Sequence, residues 1–102
     1  MKKDVKALIK RLTLLVQFTK AGKGWIGVDG DGSTFHFDSR PNFMPSGESE
    51  SLDRWYPKDM FQDQPMRLSS LDKMPLSMVC PSLPASKALF YTDGVNVWLI
   101  DL

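Results

Sequence analysis

The sequence predicts an α+β fold, in which an N-terminal amphipathic helix packs on a mostly antiparallel sheet of about four to five strands. Three observations lead to this prediction: a helical apolar period over residues 4–20, two strand-like segments closed by Asp-Gly turns, and a C-terminal ribbon that is apolar on both faces. We expect two hairpins plus a short edge strand to build the sheet. The 102 residues suffice for a single domain, 1–102, with its own core.

Residues 4–20 carry the pattern of an amphipathic helix. Asp4 is positioned to cap its start, and Gly22 can adopt the left-handed conformation that ends helices. Leu14 and Phe18 lie beside the apolar stripe and are expected to widen it, which favours a helix that covers a sheet. The stripe itself follows the i, i+3, i+4, i+7 spacing and comprises Val5, Leu8, Ile9, Leu12, Leu15, Val16 and Thr19.

The first hairpin is predicted around Asp29-Gly30-Asp31-Gly32. These four residues resemble the start of a calcium loop, but Thr34 and Arg40 occupy the positions where that loop requires glycine and a bidentate glutamate. The stretch is therefore a turn, and we expect no metal there. A loop of even length gives the hairpin one buried face, formed by Ile26, Val28, Phe35 and Phe37, with Trp25, Gly27 and His36 on the other.

The strongest hairpin signal lies at residues 88–100. Asp93-Gly94 suits a two-residue type I′ turn, which would set Phe90 opposite Val97. Because both faces of this ribbon are apolar, residues 95–100 are predicted as a central strand covered on each side. A second subunit could also complete the ribbon, so the oligomeric state stays open.

The segments between the two hairpins are less regular. Residues 38–50 are poor in aliphatic side chains and are predicted as a mobile loop. Residues 66–68 suit a short strand, followed by a helical turn that begins at Ser69 or Ser70. The S-x-x-K pattern at residues 70–73 is interpreted as coincidence because its companion motifs are missing. Residues 76–80 lie between two prolines and are predicted as the edge strand.

Composition argues against an enzyme. The chain has one histidine, one cysteine and no glycine-rich phosphate loop, and zinc would lack nitrogen and sulfur ligands. A nucleophilic pair of Cys80 and His36 would need an exposed thiol, whereas Cys80 lies in an apolar run typical of a buried hydrophobe. We therefore expect no catalytic residues, no metal and no cofactor. The single cysteine favours a reducing compartment, the cytoplasm, and no run is long enough to span a membrane.

Charge and aromatic content leave two binding functions. We favour a small protein-binding module, such as an inhibitor, immunity or accessory protein, that presents an acidic surface to a partner with a basic one. Its predicted contacts are Arg54, Trp55, Tyr56, Met60 and Phe61. The other interpretation of this segment is a loop whose aromatic side chains are buried in the core. The alternative is single-stranded nucleic-acid binding, with Trp55 or Tyr56 stacking on bases. Its cations would be Lys2, Lys3, Lys6, Lys10, Arg11, Lys20 and Lys23. Together with the single acid of this segment, Asp4, they give residues 1–24 a net charge of +6.

Overall fold

The computed structural model describes residues 1–69 and 74–101, and it confirms the α+β fold. Five antiparallel strands form one sheet in the order β5-β2-β1-β6-β7, and β3 and β4 form a separate two-stranded sheet. The helical turn and the S-x-x-K pattern predicted at residues 70–73 lie outside the described residues. The helices are α1 (Lys3–Thr19) and α2 (Leu76–Val79), and the strands are β1 (Lys23–Val28), β2 (Thr34–Phe37), β3 (Asn42–Met44), β4 (Arg54–Tyr56), β5 (Met66–Ser69), β6 (Leu89–Asp93) and β7 (Val97–Leu99).

Helix α1 covers one face of the large sheet and contacts both of its edge strands, β5 and β7. Its predicted stripe is confirmed, since Val5, Leu8, Leu12 and Val16 are buried against the sheet. Leu14 and Phe18 do not widen that stripe: they are 60% and 86% exposed and project away from the sheet. The helix ends at Thr19 because Lys20, rather than Gly22, takes the left-handed conformation that closes it.

Strand β1 is the centre of the sheet, and its alternating side chains define the two faces. Ile26 and Val28 point into the core under α1, whereas Phe35 and Phe37 lie on the opposite face with Trp25. The prediction that both pairs, Ile26 with Val28 and Phe35 with Phe37, share one face is wrong, because the loop that joins β1 to β2 has five residues. Val28 therefore pairs with Thr34, and the odd loop length exchanges the faces of β2.

The second face of the sheet is covered by the small sheet of β3 and β4. Trp55 of β4 lies directly over Gly27, where an added Cβ would come within 2.7 Å of the indole ring. Phe43 of β3 packs on Trp55 with ring centroids 5.1 Å apart. Residues 38–50, predicted as a mobile loop, thus contain a strand, and glycine at position 27 is required by the close approach of the two sheets.

The C-terminal hairpin differs from prediction in its register and its place. Phe90 pairs with Leu99 instead of Val97, because residues 93–96 form the connection. The Asp93 carboxylate accepts hydrogen bonds from the N–H groups of Val95 and Asn96, both at 2.8 Å, and this local turn replaces the two-residue loop. The two-residue shift keeps every side chain on its predicted face. However, β7 is an edge strand and β1 takes the central position.

The predicted edge strand at residues 76–80 is instead the single helical turn α2. Pro75 precedes its first residue, and the Cys80 N–H donates to the Leu76 carbonyl at 2.7 Å. Proline suits the start of a helix because no intrahelical partner is required of its nitrogen. Both Leu76 and Cys80 are fully buried, and the edge of the sheet is formed by β5, the strand predicted at residues 66–68.

Candidate protein-contact surface

The predicted contact residues divide between the core and the surface. Trp55 is only 7% exposed, its backbone N–H donates to Asp29 Oδ1 at 2.8 Å, and its indole Nε1 donates to the Ala85 carbonyl at 3.0 Å. Trp55 therefore joins β4 to two other segments and offers little surface to a partner. Arg54 and Tyr56, its neighbours in β4, are both half-buried.

Arg54 belongs to a cluster of charges at the turn between β1 and β2. Its Nε lies 3.9 Å from Asp29 Oδ2, and its Nη2 lies 3.4 Å from Asp31 Oδ2. Burial raises the pKa of the Asp29 carboxyl to about 6, while the Trp55 N–H and the Arg54 guanidinium act in the opposite direction. The Arg54 guanidinium also donates to the carbonyls of Ser51 and Asp53. Arg54 thus has a structural role that leaves its charge largely compensated.

Met60 and Phe61 form an exposed apolar pair, which we call the Met60–Phe61 tip. Their exposed fractions are 72% and 98%. The turn beneath them is fixed at its start, because Asp59 Oδ1 accepts hydrogen bonds from the N–H groups of Phe61 and Gln62 at 3.0 and 3.3 Å. A turn held in this way presents its side chains at little further cost in conformational entropy.

Asp63 ties the end of this turn to the large sheet. It is 5% exposed, and its carboxylate accepts bonds from the N–H groups of Asp38 and Ser39 and from the Ser39 hydroxyl, at 3.2 to 3.4 Å. Asp38 directly follows β2, and the N–H of Asp63 closes the turn by donating to the Asp59 carbonyl at 2.9 Å. The tip is thereby anchored beside the end of β2.

The segment of the chain that carries the tip is acidic in sequence. Residues 29–63 contain eight acidic and three basic side chains, a net charge of −5. Glu48 and Glu50 are exposed, and Glu50 and Asp53 lie at the turn between β1 and β2, where the Gly30 N–H donates to the Asp53 carbonyl at 3.0 Å. Such a field attracts cationic partners and raises their rate of encounter.

The cations of the nucleic-acid hypothesis lie elsewhere. Three of them project from α1 into solvent, Lys2 directly precedes the helix, Lys20 closes it and Lys23 begins β1. Because α1 covers one face of the sheet and Trp55 lies under the other, the sheet separates the lysines of α1 from Trp55, whereas Lys23 lies on the same face of β1 as Gly27. The exposed cations are Lys2, Lys3, Lys6, Lys10, Lys20 and Lys23, and Arg11 is half-buried.

Cys80 and His36 are both buried. Burial, assisted by the nearby Asp4 carboxylate, raises the pKa of the Cys80 thiol to about 11, so the thiol stays protonated at neutral pH. His36 Nε2 lies 3.2 Å from the Gly22 carbonyl, which accounts for one of its ring nitrogens. In the part of the chain that the structure describes, no group of His, Cys, Asp or Glu side chains is arranged to hold a metal ion.

One cluster of aromatic side chains on the large sheet was not predicted from the sequence. Trp25, Tyr91 and Trp98 lie side by side on adjacent strands, on the face of the sheet away from α1. The sequence contains these three aromatic residues within strand-like segments, but only the pairing register brings them together. The predicted register of β6 and β7 is wrong by two residues, and only the observed register pairs Tyr91 with Trp98.

Comparisons of the chain with known protein families, with curated proteins and with solved structures find no match. Among the described helices, none has the length and apolar character to cross a membrane.

Proposed function

We propose that the protein is a small, non-enzymatic protein-binding module that acts by surface contact with a partner. The observation that carries this proposal is the Met60–Phe61 tip, in which a fully exposed phenylalanine is held on an ordered turn. Exposure of such side chains to water is unfavourable, so free energy is gained when they enter an apolar pocket of a partner. Methionine and aromatic residues are enriched among the anchors of protein interfaces.

Charge supports a partner with a basic surface around that pocket. The net charge of −5 over residues 29–63, the segment that carries the tip, would attract such a partner to this part of the protein. An inhibitor, immunity or accessory protein of this kind needs no catalytic group, which agrees with the burial of Cys80 and His36. A cytoplasmic location fits the single reduced thiol.

The experiment compares three immobilised proteins: the wild type, Phe61→Ala and Phe18→Ala. Phe18 is a matched control because it is also a highly exposed phenylalanine, 86% against 98%, but lies on α1. A true partner, identified by mass spectrometry from the native extract, is retained by the wild type and Phe18→Ala and lost from Phe61→Ala. With the purified partner, calorimetry should give a roughly 30-fold weaker Kd for Phe61→Ala, the value for a hot spot of about 2 kcal/mol.

Circular dichroism and thermal unfolding should show that all three proteins are equally folded, since neither phenylalanine has core contacts. The proposal is overturned if every captured protein binds the wild type and Phe61→Ala alike. Capture of nucleic acid that is lost as salt rises from about 50 to 200 mM, and that ignores Phe61→Ala, would instead assign the function to the lysines of α1.

A further inference from the structure

A row of three aromatic side chains crosses the open part of the large sheet. Trp25 of β1 pairs with Tyr91 of β6, which pairs with Trp98 of β7, so the three lie opposite one another on one face. The ring centroids of Trp25 and Tyr91 are 5.6 Å apart at an interplanar angle of 77°, and those of Tyr91 and Trp98 are 6.1 Å apart at 23°. We call these three residues the aromatic row.

The aromatic row presents hydrogen-bond donors as well as ring surface. Trp98 is 49% exposed, and Trp25 and Tyr91 are half-buried. Over residues 1–69 and 74–101, no protein group accepts from the two indole Nε1 atoms of the row or bonds to the Tyr91 hydroxyl, and no buried side-chain nitrogen or oxygen lacks a partner. The Trp25 Nε1 and the Tyr91 hydroxyl, which belong to half-buried residues, are therefore accessible to solvent, and the Trp98 side chain is itself 49% exposed. They are free to bind acceptor groups of a ligand.

Charges of opposite sign lie at one end of the aromatic row. Lys23 and Asp93 pair across β1 and β6 at one end of the row, so their charges offset each other. The lysines of α1 lie on the other side of the sheet. A polyanion would find few cations here, whereas a neutral ligand with ring surface and carbonyl acceptors would find both of the contacts it needs.

We propose that the aromatic row is a docking site for a proline-rich segment of another protein in the polyproline II conformation. Proline rings are apolar and pack on aromatic faces. The polyproline II backbone makes no internal hydrogen bonds, so its carbonyls are open to the indole and phenol donors. Because that conformation exists before binding, little entropy is lost on docking, and aromatic-lined surfaces recognise such segments for this reason.

This inference rests on the proposed protein-binding function but uses a different surface from the Met60–Phe61 tip. The tip would supply a buried anchor for a folded, basic partner. The aromatic row would bind an extended, neutral segment, either of the same partner or of a second one. Each surface can be tested with the other left intact.

The probe is a decaproline peptide, followed by the indole N–H signals of the protein in two-dimensional NMR spectra. The three tryptophans give the experiment its own reference. The signals of Trp25 and Trp98 should shift with saturation, while that of Trp55, whose indole donates to the Ala85 carbonyl in the core, should stay fixed. A glycine-serine decapeptide, which is flexible and lacks proline rings, should leave all three signals in place.

Substitutions then identify the side chains that contact the peptide. Trp98→Ala should weaken decaproline binding at least tenfold, and Tyr91→Phe, which keeps the ring and removes the hydroxyl, several-fold. Phe18→Ala should bind like the wild type. Because Trp98 is half exposed on an edge strand, Trp98→Ala is expected to remain folded. Trp98→Phe keeps an aromatic ring without the indole donor, and should fall between the wild type and Trp98→Ala.

The inference is wrong if decaproline shifts the signal of neither Trp25 nor Trp98 at concentrations up to roughly 5 mM, which would reveal binding with a Kd of about 1 mM. Equal shifts with the glycine-serine peptide also refute it, as does saturable binding of oligothymidine or a neutral oligosaccharide in place of decaproline. None of these results affects the comparison of Phe61→Ala with Phe18→Ala. Failure at the aromatic row is thus distinguishable from failure of the protein-binding function.

Discussion

The carboxylate of Asp29 makes the stability of the fold depend on pH in an unusual direction. Its oxygens accept the N–H of Trp55 and approach Arg54, so it holds β4 against the turn between β1 and β2. Burial nevertheless raises its pKa from 3.8 to about 6 in the folded protein. Between these two values the folded state retains a proton that the unfolded state has released. For this group, stability is therefore gained as the pH falls from 7 toward 4.

The size of the effect follows from the two pKa values. A difference of about two pKa units, at about 1.4 kcal/mol each, gives on the order of 2 to 3 kcal/mol between neutral and acidic pH. The variant Asp29→Asn keeps an oxygen that accepts from Trp55 but carries no charge. We expect Asp29→Asn to be more stable than the wild type at pH 7, and we expect this advantage to shrink by about 2 kcal/mol at pH 4.

The assay is urea unfolding of both proteins at several pH values between 4 and 7. Taking the difference between them removes the contributions of other carboxylates, such as Asp4 and Asp93, whose pKa values hydrogen bonds lower. Asp31→Asn is the matched control, since Asp31 also faces Arg54 but is half exposed. A difference between wild type and Asp29→Asn that stays constant from pH 7 to pH 4 would refute the assigned cause.

Two further predictions concern close packing and the buried thiol. Gly30→Ala should unfold the protein or destabilise it by at least about 3 kcal/mol, because the new Cβ would overlap the Glu50 carbonyl oxygen. Gly47→Ala meets no atom within 4 Å and should cost only about 1 kcal/mol for its left-handed backbone, so similar urea midpoints would contradict this account. Cys80 should react with a thiol reagent only after unfolding, because it is fully buried and its pKa is raised to about 11. Rapid modification of the native protein, followed spectrophotometrically, would show that the thiol is accessible.

The elements with a strong local pattern were predicted well. The apolar period of residues 4–20 found α1, and the Asp-Gly pairs marked both hairpins of the large sheet. Errors occurred where a local pattern fits two structures equally well. Residues 76–80, bounded by prolines, suit a short strand or one helical turn, and only their burial under the helix selects α2.

The sequence shows which residue types occur in the candidate contact surface, but it does not show which of those side chains are exposed. The segment from Arg54 to Phe61 was expected either to pin into the core or to meet a partner. The structure divides it, with Trp55 inside and the Met60–Phe61 tip outside. The division depends on Gly27, whose missing side chain leaves room for the indole of Trp55. Those two residues are distant in sequence, so no local pattern relates them.

The sequence by itself determined the α+β class, the helix that covers the sheet and the two hairpins. These follow from periodicity, turn residues and composition, which act over a few neighbouring residues. Only the tertiary structure decided the register of β6 and β7, the central place of β1 and the alignment of the aromatic row. Pairing between strands depends on loop geometry and on contacts between distant segments, and one extra residue in a loop is enough to exchange the faces of a strand.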